Sequence, residues 1–457
     1  MKKVFILLTL HSLIINISYS QNTFRRQIDV SNDDLGISVC QTHDSGYIIT
    51  GVTNNRYDSA DIVLVKTNQT GDALWAKIYG DNRIEDSYCV QETYDNGFII
   101  SGMRRYGTND DRAYIIKTNS IGDTIWTKIL NGIYKKVIQT HDSSFILVGK
   151  ESYATIKKLD NDGNVVWSKS YNYCKEYLDC IEISGNRIVL GGLSKSEVAP
   201  FSTTIDLLMT DAEGDSIWFK QYGGINIYDY LCIRQTFDKG FVLSATETIM
   251  MERPNIYLQK VDSMGNYQWS NIFGSQQSFD FAKSVVQSSD SCYLITGDSD
   301  DYGLFLLKTD HTGNFLWEKG YDYDSNVTFG NCIQNTFDDH LIITGIAMDK
   351  FPPSPRDILL IKTDNDGILS NISESQKAYE PQPLVFPNPN KGTFFIRLSG
   401  NDNNVEILDI KGQVIYNMNC KFNNSQFLKI ESLDRGCYVI RIISADYLKT
   451  CTVFVTN

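Results

Sequence analysis

The sequence predicts an all-β chain: a seven-bladed β-propeller closed by its own N-terminal strand, then a small C-terminal β-sandwich. Three observations predict it. All six tryptophans occupy one position of one repeat, four residues after a glycine: Gly71/Trp75, Gly122/Trp126, Gly163/Trp167, Gly214/Trp218, Gly265/Trp269 and Gly313/Trp317. Short segments rich in β-branched and aromatic residues alternate with Asp, Asn and Gly turns, and no segment of useful length has helical periodicity. A surplus strand at one end of the array matches a strand missing at the other.

Met1 to Ser20 read as a secretory signal. Lys2 and Lys3 form the basic end, Val4–Leu10 and Leu13–Ile17 the apolar part, and Ser18-Tyr19-Ser20 a small-x-small cleavage site. His11, Ser12 and Asn16 interrupt the apolar run, which is shorter than the roughly 20 residues of a membrane span. No later segment reaches that length, so the mature chain is expected to be exported, with no transmembrane span. Losing Lys2 and Lys3 makes the formal net charge of −13 more acidic by two. That balance argues against nucleic-acid binding and against polybasic adhesion to anionic lipid, and favours solubility.

The second repeat shows the unit. Ser87–Thr93, Gly97–Gly102, Ala113–Thr118 and Thr124–Ile129 are four apolar segments separated by polar turns, an antiparallel meander. A threonine or serine ends each first strand: Thr42, Thr93, Thr140, Ser184 (approximately), Thr236, Ser288 and Thr336, a spacing that matches a propeller blade. The seventh repeat reaches Asp366-Gly367 and gives no tryptophan strand, whereas Thr23–Ile28 is an orphan fourth strand with Phe24 at the tryptophan position. A closed ring accounts for both ends; an open solenoid would need caps that are not seen. The first strands are expected to line the axis and the tryptophan strands to lie outermost. Each tryptophan then pins its strand to the neighbouring blade, burying roughly 150–250 Å² and anchoring its indole N–H to a carbonyl. The preceding glycine is expected to take positive φ in the turn between strands three and four. Trp75, Trp126, Trp167, Trp218, Trp269, Trp317 and Phe24 are therefore read as docking residues.

Segments such as Lys308-Thr309-Asp310-His311-Thr312-Gly313-Asn314-Phe315-Leu316-Trp317 and Val261–Trp269 resemble the tryptophan-docking repeat of quinoprotein-like propellers, over about residues 22 to 370. That family usually has eight blades and a pocket with adjacent cysteines and calcium. This chain has neither the eighth repeat nor adjacent cysteines, so the resemblance implies the fold and not dehydrogenase activity, and no cofactor is expected.

The repeat stops after residue 371. Residues 372–383 read as a polar linker, and 384–457 as a separate short-strand β unit. Phe386-Pro387-Asn388-Pro389-Asn390-Lys391-Gly392, Ile407–Ile415 with its Lys411-Gly412 turn, and Leu433-Asp434-Arg435-Gly436 together resemble the type A sorting domain of the Bacteroidetes type IX secretion system. The resemblance implies secretion-machinery partners and passage through the periplasm to the surface or medium. It also implies cleavage of the tail and release or attachment to lipopolysaccharide. Pro387, Asn388, Pro389, Gly392, Gly412 and Gly436 carry the motif.

Ten cysteines in an exported chain invite a disulfide reading, but Cys89, Cys232 and Cys332, and by approximate alignment Cys180, share a repeat position and are spread around the ring. They read mainly as small buried hydrophobes, with Cys174 and Cys180 the one local pair considered. His43, His141, His311 and His340 fall at turns without metal-ligand spacing. Asp160-Asn161-Asp162-Gly163 and Asp364-Asn365-Asp366-Gly367 lack the carboxylates an EF-hand needs at its first and twelfth positions and read as turns. No metal site and no catalytic residue is assigned.

Connections between strands one and two, and three and four, are uniformly tight, which predicts one plain face. Those between strands two and three vary, and variable loops on a rigid repeat usually carry function. Tyr57, Tyr106, Phe201, Met250, Met251, Tyr302 and Phe351 are the binding candidates there. Two principal readings stay open: a non-enzymatic module binding an extracellular protein or glycan, and a glycan-active hydrolase or lyase using Asp86, Asp229 and Asp280. A structural role in the cell envelope is a third.

Overall fold

The computed structural model describes residues 23–455 except 32, 54–59, 82, 109, 196–202, 226, 249–252, 275–277, 323–325, 350–354, 370–384, 387–391, 399–401, 422–425 and 444–447. Residues 24–363 form seven four-stranded antiparallel sheets, each a consecutive meander except one. In the exception, Phe24–Ile28 pairs antiparallel with Arg356–Thr363, Phe24 opposite Lys362, and supplies the fourth strand of the last blade. The first strands of blades 1 to 7 are Leu35–Gln41, Glu85–Glu92, Ile133–Gln139, Glu176–Ile183, Ile227–Gln235, Asp280–Gln287 and Asn326–Asn335. Each neighbours the first strand of the next blade, and the seventh neighbours the first, so the ring is closed.

The seams between blades are built by one repeated device. Each turn glycine has positive φ, and a Cβ there would strike the tryptophan of the preceding blade: Gly122 against Trp75, Gly313 against Trp269, Gly367 against Trp317. The glycine thus serves two needs, left-handed backbone and a flat seat for an indole. Phe24 fills the same seat at Gly71. Two residues after the ring, a cation reaches the same turn, as in Lys77–Asp123 at 3.0 Å and Arg26–Asp72 at 2.9 Å. Four residues after it, tyrosine hydroxyls donate to the glycine carbonyl: Tyr79 to Gly122 at 2.6 Å, Tyr222 to Gly265 at 2.5 Å, Tyr321 to Gly367 at 2.8 Å. Blade 5 has Phe273 there, and Asn271 donates to Gly313 instead, at 2.8 Å. The expected indole anchor is found at Trp126, whose Nε1 donates to Asn161 O at 3.0 Å, whereas Trp218 Nε1 is buried without an acceptor. Ring packing is therefore common to the seams, the tyrosine hydroxyl serves four of them, and the indole N–H is a local addition.

A second device locks each blade internally. In blade 1, Thr42 Oγ1 donates to Asp44 at 2.5 Å and Gly46 N to the same carboxylate at 3.0 Å. Lys66, nearly fully buried, then bridges Asp44 and the Thr67 carbonyl at 2.8 Å. The same Asp–Lys pair recurs as Asp95–Lys117, Asp142–Lys158, Asp238–Lys260, Asp290–Lys308 and Asp338–Lys362. Blade 4 lacks both members: its turn has Gly185 and its third strand Met209 opposite Trp218. A buried lysine without its carboxylate would be costly, so the pair is lost together.

Register corrects two alignments. The first-strand bulge at Tyr177/Asp179 places Asp179, not Cys180, at the position of Cys89, and Ile183 rather than Ser184 at that of Thr93. Cys180 packs between sheets, and Cys174 and Cys180 are both free thiols, as are Cys40, Cys89, Cys232, Cys292, Cys332 and Cys437. The middle hairpin of blade 2 also runs further than expected. Its strands are Phe98–Gly107 and Asp110–Thr118, so Met103–Arg112 is mostly paired strand rather than loop.

In the tail, Val385–Phe386, Phe394–Leu398 and Gln426–Ile430 form one sheet, and Val414–Lys421, Asp402–Leu408, Gly436–Ile443 and Leu448–Val455 another. Phe394, Ile396, Val405, Ile407, Leu428, Ile440 and Val453 from both sheets share one core, which makes a β-sandwich.

Candidate functional site

The face carrying the strand one-to-two turns is regular but not plain. The residue after each turn threonine points outward, giving His43, Tyr94, His141, Phe237 and Phe337 on five blades, with Ser184 and Ser289 on the other two. Tyr94, Phe237 and Phe337 are 59%, 60% and 69% exposed. Their backbones are clamped by the next blade: Tyr94 N donates to Gln139 Oε1 at 2.8 Å, Phe237 N to Gln287 at 2.8 Å, and Phe337 N to Gln41 at 2.7 Å. That last bond crosses the ring closure. Where the acceptor is glutamate, the turn residue is histidine. His43 Nδ1 lies 2.7 Å from Glu92 and His141 Nδ1 2.8 Å from Glu182, each backbone N–H bonding the same carboxylate.

The adjoining turn carboxylates stay ionised. Burial pushes Asp44 up, but the Thr42 hydroxyl, Lys66 and the Gly46 N–H outweigh it and hold it below the usual range. Asp95, Asp142, Asp238 and Asp338 are lowered for the same reasons, and Asp290 falls to about 2.

Around the axis, Cys89, Cys232 and Cys332 share their repeat position with Lys136 and Asp179. Asp179 lies 3.2 Å from Lys136 and 2.9 Å from Arg234, and accepts the Ile233 N–H at 3.0 Å. Burial raises this carboxyl, but the two cations outweigh it and keep it ionised. Burial dominates the Cys232 and Cys332 thiols and pushes them up, which keeps them protonated. Among the described residues no group of three His, Cys, Asp or Glu is placed to share a metal ion.

The opposite face is held by ion pairs and backbone clamps. Tyr106 sits between the guanidinium groups of Arg83 and Arg112, 5.1 and 4.9 Å from its ring, and Arg112 also pairs with Asp110. Tyr302 packs against Gly320 of the outer strand of its blade. Tyr57, Phe201, Met250, Met251 and Phe351 lie outside the described residues, as do residues 1–22, the 372–383 segment, Pro387, Asn388, Pro389 and the side chain of Asp229. The remaining acids are engaged locally. Asp86 Oδ1 accepts from Ser87 N at 2.8 Å, and burial raises its carboxyl against the pull of that N–H, Lys135 and Arg105. Asp280 accepts from Ser278 Oγ at 3.0 Å, and its N–H closes on Pro254 O at 2.9 Å. These two acids sit within the first strands of blades 2 and 6 and are not brought together.

Comparison with known proteins adds the export route. Residues 384–456 match the family described as a secretion system C-terminal sorting domain. The protein is an exported one. It leaves by the type IX machinery for the cell surface or the medium, and its propeller travels with that tail. No curated protein matches the chain. Similar solved structures include a protein of unknown function from Dyadobacter fermentans, 11% identical, covering 74% of this chain and 97% of that one, with a TM-score of 0.47. YCF48 bound to a D1 peptide is also 11% identical, covering 75% and 97%, with a TM-score of 0.46.

Sequence reasoning missed the turn-face residues. The signal was present: the residue after each turn position is aromatic, histidine or serine, and a glutamine or glutamate precedes that position in every repeat but the seventh, which has Asn335.

Proposed function

We propose that the protein is an extracellular, non-enzymatic binding module. Residues 22–371 are its ligand-presenting unit, 372–383 its linker, and 384–457 its export tail, removed on the way to release or lipopolysaccharide attachment. The ligand is an extracellular protein or glycan. One observation carries this reading: large aromatic side chains stand exposed at equivalent positions on one face, above backbone fixed by blade-to-blade hydrogen bonds. Exposed apolar side chains gathered on one face mark interaction surfaces. The separate local engagement of the two acids, Asp86 by the Ser87 N–H and Asp280 by the Ser278 hydroxyl, supports binding over the rival hydrolase or lyase.

The test is binding of the full-length protein, and of its Phe237→Ser/Phe337→Ser variant, to envelope proteins and extracellular polysaccharides, with glycan turnover followed in parallel. Saturable binding lost in the variant, without turnover, supports the module. Glycan cleavage abolished by Asp86→Asn replaces it with the enzyme.

A further inference from the structure

We infer that the turn face is a docking platform for a neutral, linear polysaccharide. The inference rests on the binding-module reading and names the ligand chemistry and the side chains that meet it. In ring order, blades 7, 1, 2 and 3 present Phe337, His43, Tyr94 and His141, an arc of four aromatic rings on consecutive blades; Phe237 stands apart, flanked by Ser184 and Ser289. His43 and His141 are 68% and 71% exposed, so the arc is open along its length. Consecutive platforms at blade spacing suit a polymer whose own unit repeats better than they suit a single small molecule.

The platforms are fixed before any ligand arrives. Gln41 and Gln139 hold the backbones of Phe337 and Tyr94, while Glu92 and Glu182 hold both the backbone and ring of His43 and His141. Little ordering cost is left to binding. The imidazole nitrogens facing away from those carboxylates are free to exchange hydrogen bonds with hydroxyls.

Charge selects the class of polymer. Beside each ring of the arc lies an exposed carboxylate: Asp338, Asp44, Asp95 and Asp142. Each is paired with a lysine, buried at Lys362, Lys66 and Lys117 and 14% exposed at Lys158, so the face offers acceptor oxygens with little net charge. A cationic chain gains little from carboxylates already neutralised, and an anionic chain is repelled by a protein of formal net charge −13. A neutral pyranose chain fits both features: its C–H faces stack on the rings and its hydroxyls donate to the carboxylates.

The experiment uses the full chain and six probes: a β-1,4-glucan, a β-1,3-glucan, an α-1,4-glucan, a mannan, polygalacturonate and polylysine. At least one neutral glycan is expected to bind saturably while polygalacturonate does not. Tyr94→Ala/Phe337→Ala is expected to weaken that binding by about tenfold or more at unchanged melting temperature, as central aromatic contacts do. Tyr94→Phe/Phe337→Tyr, which keeps both rings, is expected to retain it and so separates lost contact from lost folding. Equal or tighter binding of polygalacturonate, or neutral-glycan binding indifferent to the double alanine change, overturns the inference. Polylysine binding through the same rings, with the neutral glycans inert, overturns the polysaccharide while leaving a binding face in place. Binding of any polymer that responds to Tyr106→Ala and not to the turn-face rings overturns both the inference and the assignment of this face.

Discussion

The two faces of the propeller solve the same problem in different ways. Among its described residues, the face with the strand two-to-three connections engages its charged groups locally: Arg104 with Glu85 at 2.7 Å, Arg105 with Asp111 at 2.9 Å, and Arg83 and Arg112 over the ring of Tyr106, which stays 40% exposed. The turn face is monotonous in backbone, seven left-handed residues at one position from Ser45 to Asp339, yet it leaves its aromatic residues uncovered. The long blade 2 hairpin sets its own Arg112 over Tyr106, whereas the three residues between Thr336 and His340 leave the Phe337 ring 69% exposed.

The comparison breaks most severely if the seams under the turn face are opened. Gly313→Val must place a Cβ 2.5 Å from Trp269 at a φ of +84°. It is expected to cost about 3 kcal/mol or more, read by thermal or denaturant unfolding. Lys117→Met strips the ion pair from Asp95 and one bond from the Thr118 carbonyl, for an expected loss of about 1–3 kcal/mol. Blade 4, with Gly185 and Met209, predicts that adding Asp95→Gly recovers part of it, and a double-mutant cycle with no coupling would remove the pairing argument.

Acid should act on the turn face first. Six turn carboxyls are lowered on folding, so their contribution is complete above about pH 4 and drains as pH falls towards 2. An unfolding-stability curve flat through that window contradicts it. Glu318 works in the opposite sense. Burial, then Asp280 and Asp301, raise it to about 8, so stability is lost as pH rises from about 4.5 to 8. Glu318→Gln should flatten that slope and raise the melting temperature at pH 8 by roughly a few degrees. Smallest are the surface effects: Tyr106→Ala should cost about 1 kcal/mol or less, and Phe337→Ser within about 0.5 kcal/mol. A large loss at Phe337 would show that the ring is structural after all.

Much of the fold was legible because its grammar is local. Tryptophan four residues after glycine reports a turn and a seam together, and Phe24 standing in the same frame revealed the closing strand. The axis was less legible: blade 4 has Ile183 where the other first strands end in threonine or serine, so alignment on Ser184 put Cys180 in the place that strand pairing gives to Asp179. What surrounds a candidate ring was not legible from spacing. Tyr106 looks available in the sequence and is flanked by Arg83 and Arg112, which are distant from it or hidden in a hairpin pairing that spacing does not show.

The sequence alone determined the repeat, the number of blades, the strand that closes the ring and the tail that exports the protein, since each is written in short motifs whose chemistry acts within a few residues. Only the tertiary structure decided which tyrosine, lysine and glutamine reaches across a seam, which carboxylates are neutralised from behind, and which rings are left in water. Those outcomes depend on contacts between strands of one blade or between neighbouring blades, distant in the chain, where the direction of a side chain is set by twist, bulge and register.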